Sequence, residues 1–224
     1  MTALAAPRAV VFDLDGTLLD SERAICEAGA LAFADIGEDV SGLSIADHLG
    51  APLEELYELF VGDRDGTRRR LFIERYLARH DEHPEANPPP LPGVVDGLAG
   101  LRAAGLLLAV ATTKPTGRAT QQLASAGLLS FFAHVQGTDP PLLPKPAPDV
   151  VLMACAALLV GAGEAWMVGD TPRDVGAARA AGAGAILVGY GAERLAAARG
   201  MGADVVITSL TELSVLLMTT ARRS

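Results

Sequence analysis

The chain has 224 residues, of which 50% are hydrophobic and only 4% aromatic, and its formal net charge is −9. This length suits one large domain or a core with a modest insertion, and the acidic balance argues against a general nucleic-acid-binding protein. No apolar run approaches the ~20 residues that span a bilayer, and the first residues lack the pattern of a signal peptide. Two cysteines, Cys26 and Cys155, are too few for a disulfide framework. We therefore expect a cytoplasmic protein without a membrane or nucleic-acid partner.

The first predicted element is a buried strand, Ala9–Asp13, which runs directly into the sequence DLDGT. Alternation along an extended segment points Asp13 and Asp15 in the same direction, and Gly16 permits the sharp turn that follows. In an open parallel sheet, ligands bind beyond the carboxyl ends of the strands. The two aspartates are therefore candidate site residues, although a strand that ends in an Asp-rich turn would have the same sequence.

A helical segment, residues 20–90, interrupts the strand pattern. Helical spacing predicts three helices in this segment, over residues 21–36, from Pro52 onward and over Thr67–Arg79. The stretch HPEANPPPLPG that follows them is typical of a stiff, extended linker. We therefore expect a helical domain of residues 20–90, inserted into a core domain that consists of residues 1–19 and 91–224.

Strands and helices alternate in the remainder of the chain. Short apolar runs bounded by Gly, Asp or Thr predict buried strands, and helical patterns lie between them, often with a proline near the start and a glycine past the end. This alternation predicts an α/β protein with a doubly wound, Rossmann-like parallel sheet. The further predicted strands are Leu106–Thr112, Phe132–Gly137, Ala165–Gly169, Ala185–Gly189 and Asp204–Ile207.

Two threonines and a lysine follow the second predicted strand, in the sequence VATTKPT. Thr112 and Thr113 lie where this strand ends and a helix begins, and hydroxyl groups together with free helix N–H groups suit a phosphate. Lys114 comes one residue later, and we expect its ammonium to remain solvated and to have a minor role. Lys114 and Lys145 are the only lysines among the 18 basic residues, and each directly precedes a proline.

Lys145, Asp170 and Asp174 complete the set of candidate residues. Asp170 ends a predicted strand, and Asp174 lies four residues later on the same helical face. A helix N-cap would also explain Asp170, and a lysine in a loop, such as Lys145, is elsewhere a solvated surface residue. Because parallel strands end at one edge of a sheet, we expect these residues to lie close to the two aspartates of DLDGT.

Four carboxylates that converge on one place need a counter-charge. Two unit charges ~4 Å apart repel each other by about 4 kcal/mol at an effective dielectric constant near 20. Several such pairs would outweigh the stability of an ordinary domain, which is about 5–15 kcal/mol. Mg²⁺ is the common hard cation at phosphate sites with oxygen ligands. The sequence therefore predicts Mg²⁺ as cofactor, with further positive charge from Lys145.

Four short motifs occur in a characteristic order: DLDGT, VATTK, KPAPD and GDTPRD. In this order they resemble the four motifs of the haloacid dehalogenase (HAD) superfamily, and the phosphatase branch is the most similar. The resemblance covers the whole chain, and the helical insertion resembles the C1 cap of that superfamily. The cap segment HLGAPLEELYELF is similar to one in phosphoglycolate phosphatase, pyrophosphatase and 5′-nucleotidase-like members, from which Leu49 and Ala51 depart.

The resemblance implies a reaction carried by Asp13 and Asp15. Asp13 would attack phosphorus to form an aspartyl-phosphate, and Asp15 would protonate the leaving alcohol and then activate water. The implied activity is Mg²⁺-dependent hydrolysis of small phosphomonoesters, phosphoglycolate- or 5′-nucleotide-like, with closure of the cap to exclude water. The expected partner is a small phosphorylated metabolite, and the expected assembly is a monomer or a dimer.

The resemblance also implies the ligands of the metal and of the phosphate. Mg²⁺ would be held by Asp13, the backbone carbonyl of Asp15 and Asp170, with support from Asp174. The phosphoryl oxygens would be bound by Thr112, by the backbone N–H of Thr113 and by Lys145. Thr112 and Lys145 would thereby act in catalysis beside the two aspartates of the first motif.

Three other activities share part of this pattern. A sugar-phosphate mutase of the same superfamily is the nearest alternative, but such enzymes resemble DxDGV, and Thr17 favours a phosphatase. A non-enzymatic phospho-aspartate switch domain also combines acidic residues, Mg²⁺, Thr and Lys, but its acceptor normally lies on a later strand and it lacks a cap. A dehalogenase would lack Asp15.

Overall fold

The computed structural model describes residues 6–62 and 66–221. Within them six strands form one sheet: β1 (Ala9–Phe12), β2 (Leu107–Ala111), β3 (His134–Gln136), β4 (Ala165–Gly169), β5 (Gly184–Val188) and β6 (Val205–Ile207). Their order is β3-β2-β1-β4-β5-β6, and every neighbouring pair is parallel. The predicted α/β class is confirmed, and each predicted strand is present with ends that shift by at most two residues.

Helices connect the strands and form the inserted segment. They are α1 (Glu22–Asp35), α2 (Leu53–Val61), α3 (Gly66–Glu82), α4 (Val94–Ala103), α5 (Thr116–Ser125), α6 (Asp149–Ala157), α7 (Pro172–Ala181), α8 (Ala192–Ala198) and α9 (Thr211–Ala221). Short 3₁₀ turns occur at Ile45–His48, Leu129–Phe131 and Ala162–Glu164. Helix α9 was not predicted, because no proline opens it and no glycine follows it. No helix in the described part of the chain combines the length and the apolar character that crossing a membrane requires.

The sheet is covered on both faces, which is why its strands are almost continuously apolar. On β1, Val10 and Phe12 face a core that includes side chains of α4, α5 and the start of α9. Ala9 and Val11 face the opposite core, which includes side chains of α6 and α7 and is rich in alanine. All four of these β1 residues are fully buried. The central strand is therefore held rigidly from both sides, which fixes the position of the residue that follows it.

The segment Asp20–Pro89 is a compact unit, and the residues before and after it form a second one. The inserted unit has its own core around aromatic rings of α1, α2 and α3. The rings of Phe33 and Phe72 stack with their centroids 4.3 Å apart, and Tyr57 is fully buried beside them. Helix α3 runs three residues past the predicted end at Arg79.

Two helical glycines give a matched test of packing in the sheet-containing unit. A Cβ at Gly97 in α4 would lie 2.6 Å from Cβ of Leu210, whereas a Cβ at Gly117 in α5 would meet nothing within 4 Å. Gly97→Ala should therefore lower the free energy of unfolding by about 1–3 kcal/mol through overpacking. Gly117→Ala should raise it by about 0.5–1 kcal/mol, because alanine loses less backbone entropy on folding. Urea denaturation of both variants measures this, and equal effects would contradict the close packing of α4 against Leu210.

Candidate active site

Asp13 and Asp170 follow the two strands at the middle of the sheet. Strands β1 and β4 are in register, with Phe12 opposite Val168, and the N–H of Asp13 extends the ladder by donating to the carbonyl of Val168 at 2.9 Å. Strand β1 has β2 on one side and β4 on the other. The two carboxylates therefore lie at the carboxyl edge of the sheet, where the strand order reverses and ligands bind in open α/β folds.

Lys145 lies between two of the carboxylates. Its Nζ is 2.6 Å from Oδ1 of Asp13 and 2.6 Å from Oδ1 of Asp174, and only 2% of its side chain is exposed. Burial lowers the pKa of Lys145, but the nearby charges of Asp13 and Asp174 outweigh this effect and raise the pKa above its ordinary value. Lys145 is thus a charged, buried group, and the alternative of a solvated surface lysine is wrong.

Asp174 is held by the first turn of α7. Thr171 is the N-cap of this helix, and both its N–H and its hydroxyl donate to Oδ2 of Asp174, at 3.0 and 2.7 Å. The N-cap role that was an alternative for Asp170 therefore belongs to Thr171. Space for the buried carboxylate exists because Gly169 has no side chain: a Cβ there would lie 2.1 Å from Cγ of Asp174. Both oxygens of Asp174 are engaged, which favours a supporting role for this residue.

The turn after β1 holds Asp170. Thr17 donates from its hydroxyl to Oδ1 of Asp170 at 3.1 Å. Gly16 has a φ of 76°, and a Cβ at this position would lie 2.3 Å from Oδ2 of Asp170, so both conformation and space require glycine. The hydroxyl of Tyr190 donates to the carbonyl of Thr17 at 2.8 Å. Sequence reasoning missed Tyr190, whose one signal is its position just after a predicted strand.

The three carboxylates form a strongly acidic cluster. One oxygen from each of Asp13, Asp170 and Asp174 lies within 4.8 Å of the others. Burial raises the pKa of Asp13 to about 7, although Lys145 opposes this shift. Burial, followed by repulsion from Asp174 and Asp13, raises the pKa of Asp170 well above its ordinary value. The cluster carries more negative charge than the ammonium of Lys145 can balance, and its ligand atoms are oxygens. Both properties fit a hard divalent cation such as Mg²⁺.

Thr112 and Thr113 follow β2 at the same edge of the sheet. The N–H of Thr112 donates to the carbonyl of Gln136 at 3.0 Å, and its hydroxyl accepts from the N–H of Lys114 at 3.2 Å. The hydroxyl of Thr113 is buried and has no hydrogen-bond partner in the described structure. Because buried hydroxyl groups are normally paired, this group is suited to a ligand oxygen.

Lys114 contradicts the expectation of a solvated ammonium. Its Nζ donates to Oδ1 of Asp15 at 2.9 Å and also to Oε1 of Gln122 on α5. Only 12% of its side chain is exposed. The sequence pattern placed Lys114 next to Thr112 and Thr113, the predicted phosphate ligands, but could not show that the side chain turns toward Asp15.

Comparisons with known proteins agree on one family. The family model described as haloacid dehalogenase-like hydrolase matches residues 10–188. The chain is 35% identical to the "Probable phosphatase IndB" of Dickeya dadantii over 91% of this chain and 90% of that one. It is also 35% identical to a "Phosphoglycolate phosphatase" of Chromobacterium violaceum, over 94% and 96% of the two chains. A crystal structure of "a predicted phosphatase from Clostridium acetobutylicum" has a TM-score of 0.82 and 26% identity, covering 96% of this chain and 100% of that one.

The acidic cluster predicts that replacing Asp170 by asparagine raises thermal stability in the absence of metal and reduces the stabilisation that metal provides. Asp170→Asn keeps the acceptor for Thr17 but removes a carboxylate from the cluster. Without metal, at an alkaline pH where Asp170 is charged despite its raised pKa, this variant should melt at a higher temperature than the wild type, by about 2–4 °C if the relief is ~1 kcal/mol. Added Mg²⁺ should raise the melting temperature of the wild type, because a ligand of the folded state stabilises it, and should do so far less in Asp170→Asn.

The matched control is Asp96→Asn, which removes the same charge from an exposed position on α4. Thermal unfolding of the three proteins, in EDTA and in Mg²⁺, gives the comparison. An equal Mg²⁺ response in all three would show that the cluster is not the metal site. A lower metal-free melting temperature of Asp170→Asn would show that repulsion within the cluster does not destabilise the fold.

Proposed function

The chain belongs to the haloacid dehalogenase-like hydrolase family and is a phosphatase, and we propose that it hydrolyses small phosphomonoesters with Asp13 as the nucleophile. One observation carries the assignment of Asp13: its carboxylate follows the central strand and is paired with a buried lysine, beside Asp170. A nucleophile held in this way needs little reorganisation before it attacks.

The first half of the reaction transfers the phosphoryl group to the protein. A carboxylate oxygen of Asp13 attacks phosphorus, the bond from phosphorus to the ester oxygen breaks, and Asp15 gives its proton to that oxygen, so that the alcohol leaves. Lys145, with its positive charge fixed between Asp13 and Asp174, stabilises the negative charge of the phosphoryl oxygens. Thr112 and Thr113 bind these oxygens through hydroxyl and backbone N–H groups.

The second half restores the enzyme. Asp15 takes a proton from water, the water oxygen attacks phosphorus, and the bond to Asp13 breaks, which releases inorganic phosphate. Mg²⁺, held by Asp13 and Asp170 with the backbone carbonyl of Asp15, would supply positive charge that screens the nucleophile from its anionic substrate. Asp174 supports this centre by orienting Lys145.

The substrate we propose is a small phosphorylated metabolite of the phosphoglycolate type. This proposal is supported by the name of the relative from Chromobacterium violaceum, which matches nearly the full length of the chain. A 5′-nucleotide-like substrate is the second candidate. The sugar-phosphate mutase remains the alternative activity, because it would form the same aspartyl-phosphate but return the phosphoryl group to a sugar. Release of inorganic phosphate, rather than isomerisation of a hexose phosphate, distinguishes the two.

Substitution of the nucleophile tests the proposal. The wild type should release phosphate from phosphoglycolate in Mg²⁺, and it should lose this activity in EDTA and regain it when Mg²⁺ returns. Asp13→Asn should lower kcat by more than about 10⁴-fold, as removal of a nucleophile does in other enzymes, with an unchanged circular dichroism spectrum.

Asp96→Asn serves as the surface control, and mass spectrometry of the purified Asp13→Asn protein excludes deamidation back to aspartate. Turnover by Asp13→Asn at a rate near that of the wild type would refute the assignment. Full activity of the wild type after bound metal has been stripped would refute the role of Mg²⁺.

A further inference from the structure

We propose that Lys114 and Gln122 are positioning residues for Asp15, which hold its carboxyl group in place for proton transfer. This inference rests on the proposed function, in which Asp15 is the proton donor. The ammonium of Lys114 donates to Oδ1 of Asp15 at 2.9 Å, and the side-chain oxygen of Gln122 accepts from the same ammonium. Two contacts thus determine where the ammonium lies, and the ammonium determines where one oxygen of Asp15 lies.

The contact between Lys114 and Asp15 is shielded from water. The exposed fractions of the two side chains are 12% and 19%, and Gln122 is buried. Ion pairs that are largely removed from solvent are screened less by salt and are stronger than exposed ones. Ordering a lysine side chain costs up to about 2 kcal/mol of rotamer freedom, and the hydrogen bond to Gln122 offsets part of this cost.

The backbone of Lys114 is fixed as well. Its N–H donates to the hydroxyl of Thr112 at 3.2 Å, and its carbonyl accepts from the N–H of Thr138 at 3.1 Å. The loop after β3 packs so closely against this carbonyl that a Cβ at Gly137 would lie 2.4 Å from the carbonyl oxygen of Lys114. The backbone of Lys114 is therefore fixed in position, and so is its ammonium. This arrangement suits a residue that orients another group.

The use of lysine at this position is itself informative. The chain has 18 basic residues, and all but Lys114 and Lys145 are arginine. Each of these two lysines contacts one aspartate of DLDGT: Lys145 contacts Asp13, and Lys114 contacts Asp15. An ammonium is a compact charge with three rotatable donors, whereas a guanidinium binds a carboxylate through a flat, two-pronged contact. Lysine can therefore hold one oxygen of a reacting carboxyl group without engaging both.

The reaction needs such an anchored carboxyl group. Asp15 must deliver a proton to the ester oxygen as the bond to phosphorus breaks, and must later accept a proton from the attacking water. Both transfers require a heavy-atom distance of about 2.6–3.2 Å. Because the two oxygens of a carboxyl group are rigidly connected, anchoring Oδ1 of Asp15 restricts the positions that Oδ2 can take. Loss of Lys114 should therefore impair proton transfer more than phosphate binding.

The test compares two leaving groups in Lys114→Met, which keeps the length of the side chain but removes its charge. 4-Nitrophenolate leaves as a stable anion without a proton, whereas the alcohol of an alkyl phosphate such as phosphoglycolate needs one. The ratio kcat/KM reports the steps up to departure of the alcohol. It should fall by about 10²-fold for the alkyl phosphate, as expected when general acid catalysis is lost, and by less than about tenfold for 4-nitrophenyl phosphate.

Three further variants make the comparison decisive. Asp15→Asn gives the pattern expected for loss of the proton donor, and Gln122→Leu should reproduce the same selectivity more weakly, even if Lys114→Met does not fold. Thr113→Val should impair both substrates equally, because the phosphoryl group is common to them. Equal losses for both substrates in the Lys114 and Gln122 variants would overturn the inference and make Lys114 a phosphate-binding group. Failure of the wild type to hydrolyse either ester would instead refute the proposed function.

Discussion

The structure depends on one buried interaction, the ammonium of Lys145 between the carboxylates of Asp13 and Asp174. Charges removed from water are costly unless they are paired and their remaining hydrogen-bonding sites are filled. Local sequence meets this requirement: Thr171 fills the second oxygen of Asp174, and Gly169 leaves room for it. The residues of the turn between β4 and α7 are therefore constrained by the need to hold Asp174 against the buried ammonium of Lys145.

That neutralisation is incomplete, and the remaining negative charge is what the site uses. Asp170 adds a third carboxylate to the cluster, and burial with mutual repulsion raises its pKa and that of Asp13. A cation that binds in such a cluster relieves the repulsion among the carboxylates that is present in the metal-free fold. Fixed charges and dipoles that need no rearrangement stabilise a transition state better than mobile ones. The repulsion among the carboxylates therefore lowers the stability of the fold but leaves the site preorganised for phosphoryl transfer.

The strand ends and most of the site could be predicted from the sequence because apolar runs, prolines and glycines mark where parallel strands end. Asp13 and Asp170 follow from that placement alone. The contact of Lys114 with Asp15 could not be predicted, because the two residues are 99 positions apart in the sequence and the direction of the side chain depends on tertiary packing. The hydrogen bond from Tyr190 to Thr17 likewise depends on tertiary packing, and α9 has neither an opening proline nor a glycine after it.

A double-mutant cycle between Lys145 and Asp13 tests the central interaction most directly. In EDTA at alkaline pH, Lys145→Met should lower the free energy of unfolding by about 3–5 kcal/mol, because it leaves buried carboxylates without a partner. Adding Asp13→Asn to that variant should restore a large part of the loss, since it removes one of the unpaired charges. If Asp13→Asn destabilises the Lys145→Met protein as much as it destabilises the wild type, the two residues are not coupled, and the fold does not depend on their ion pair.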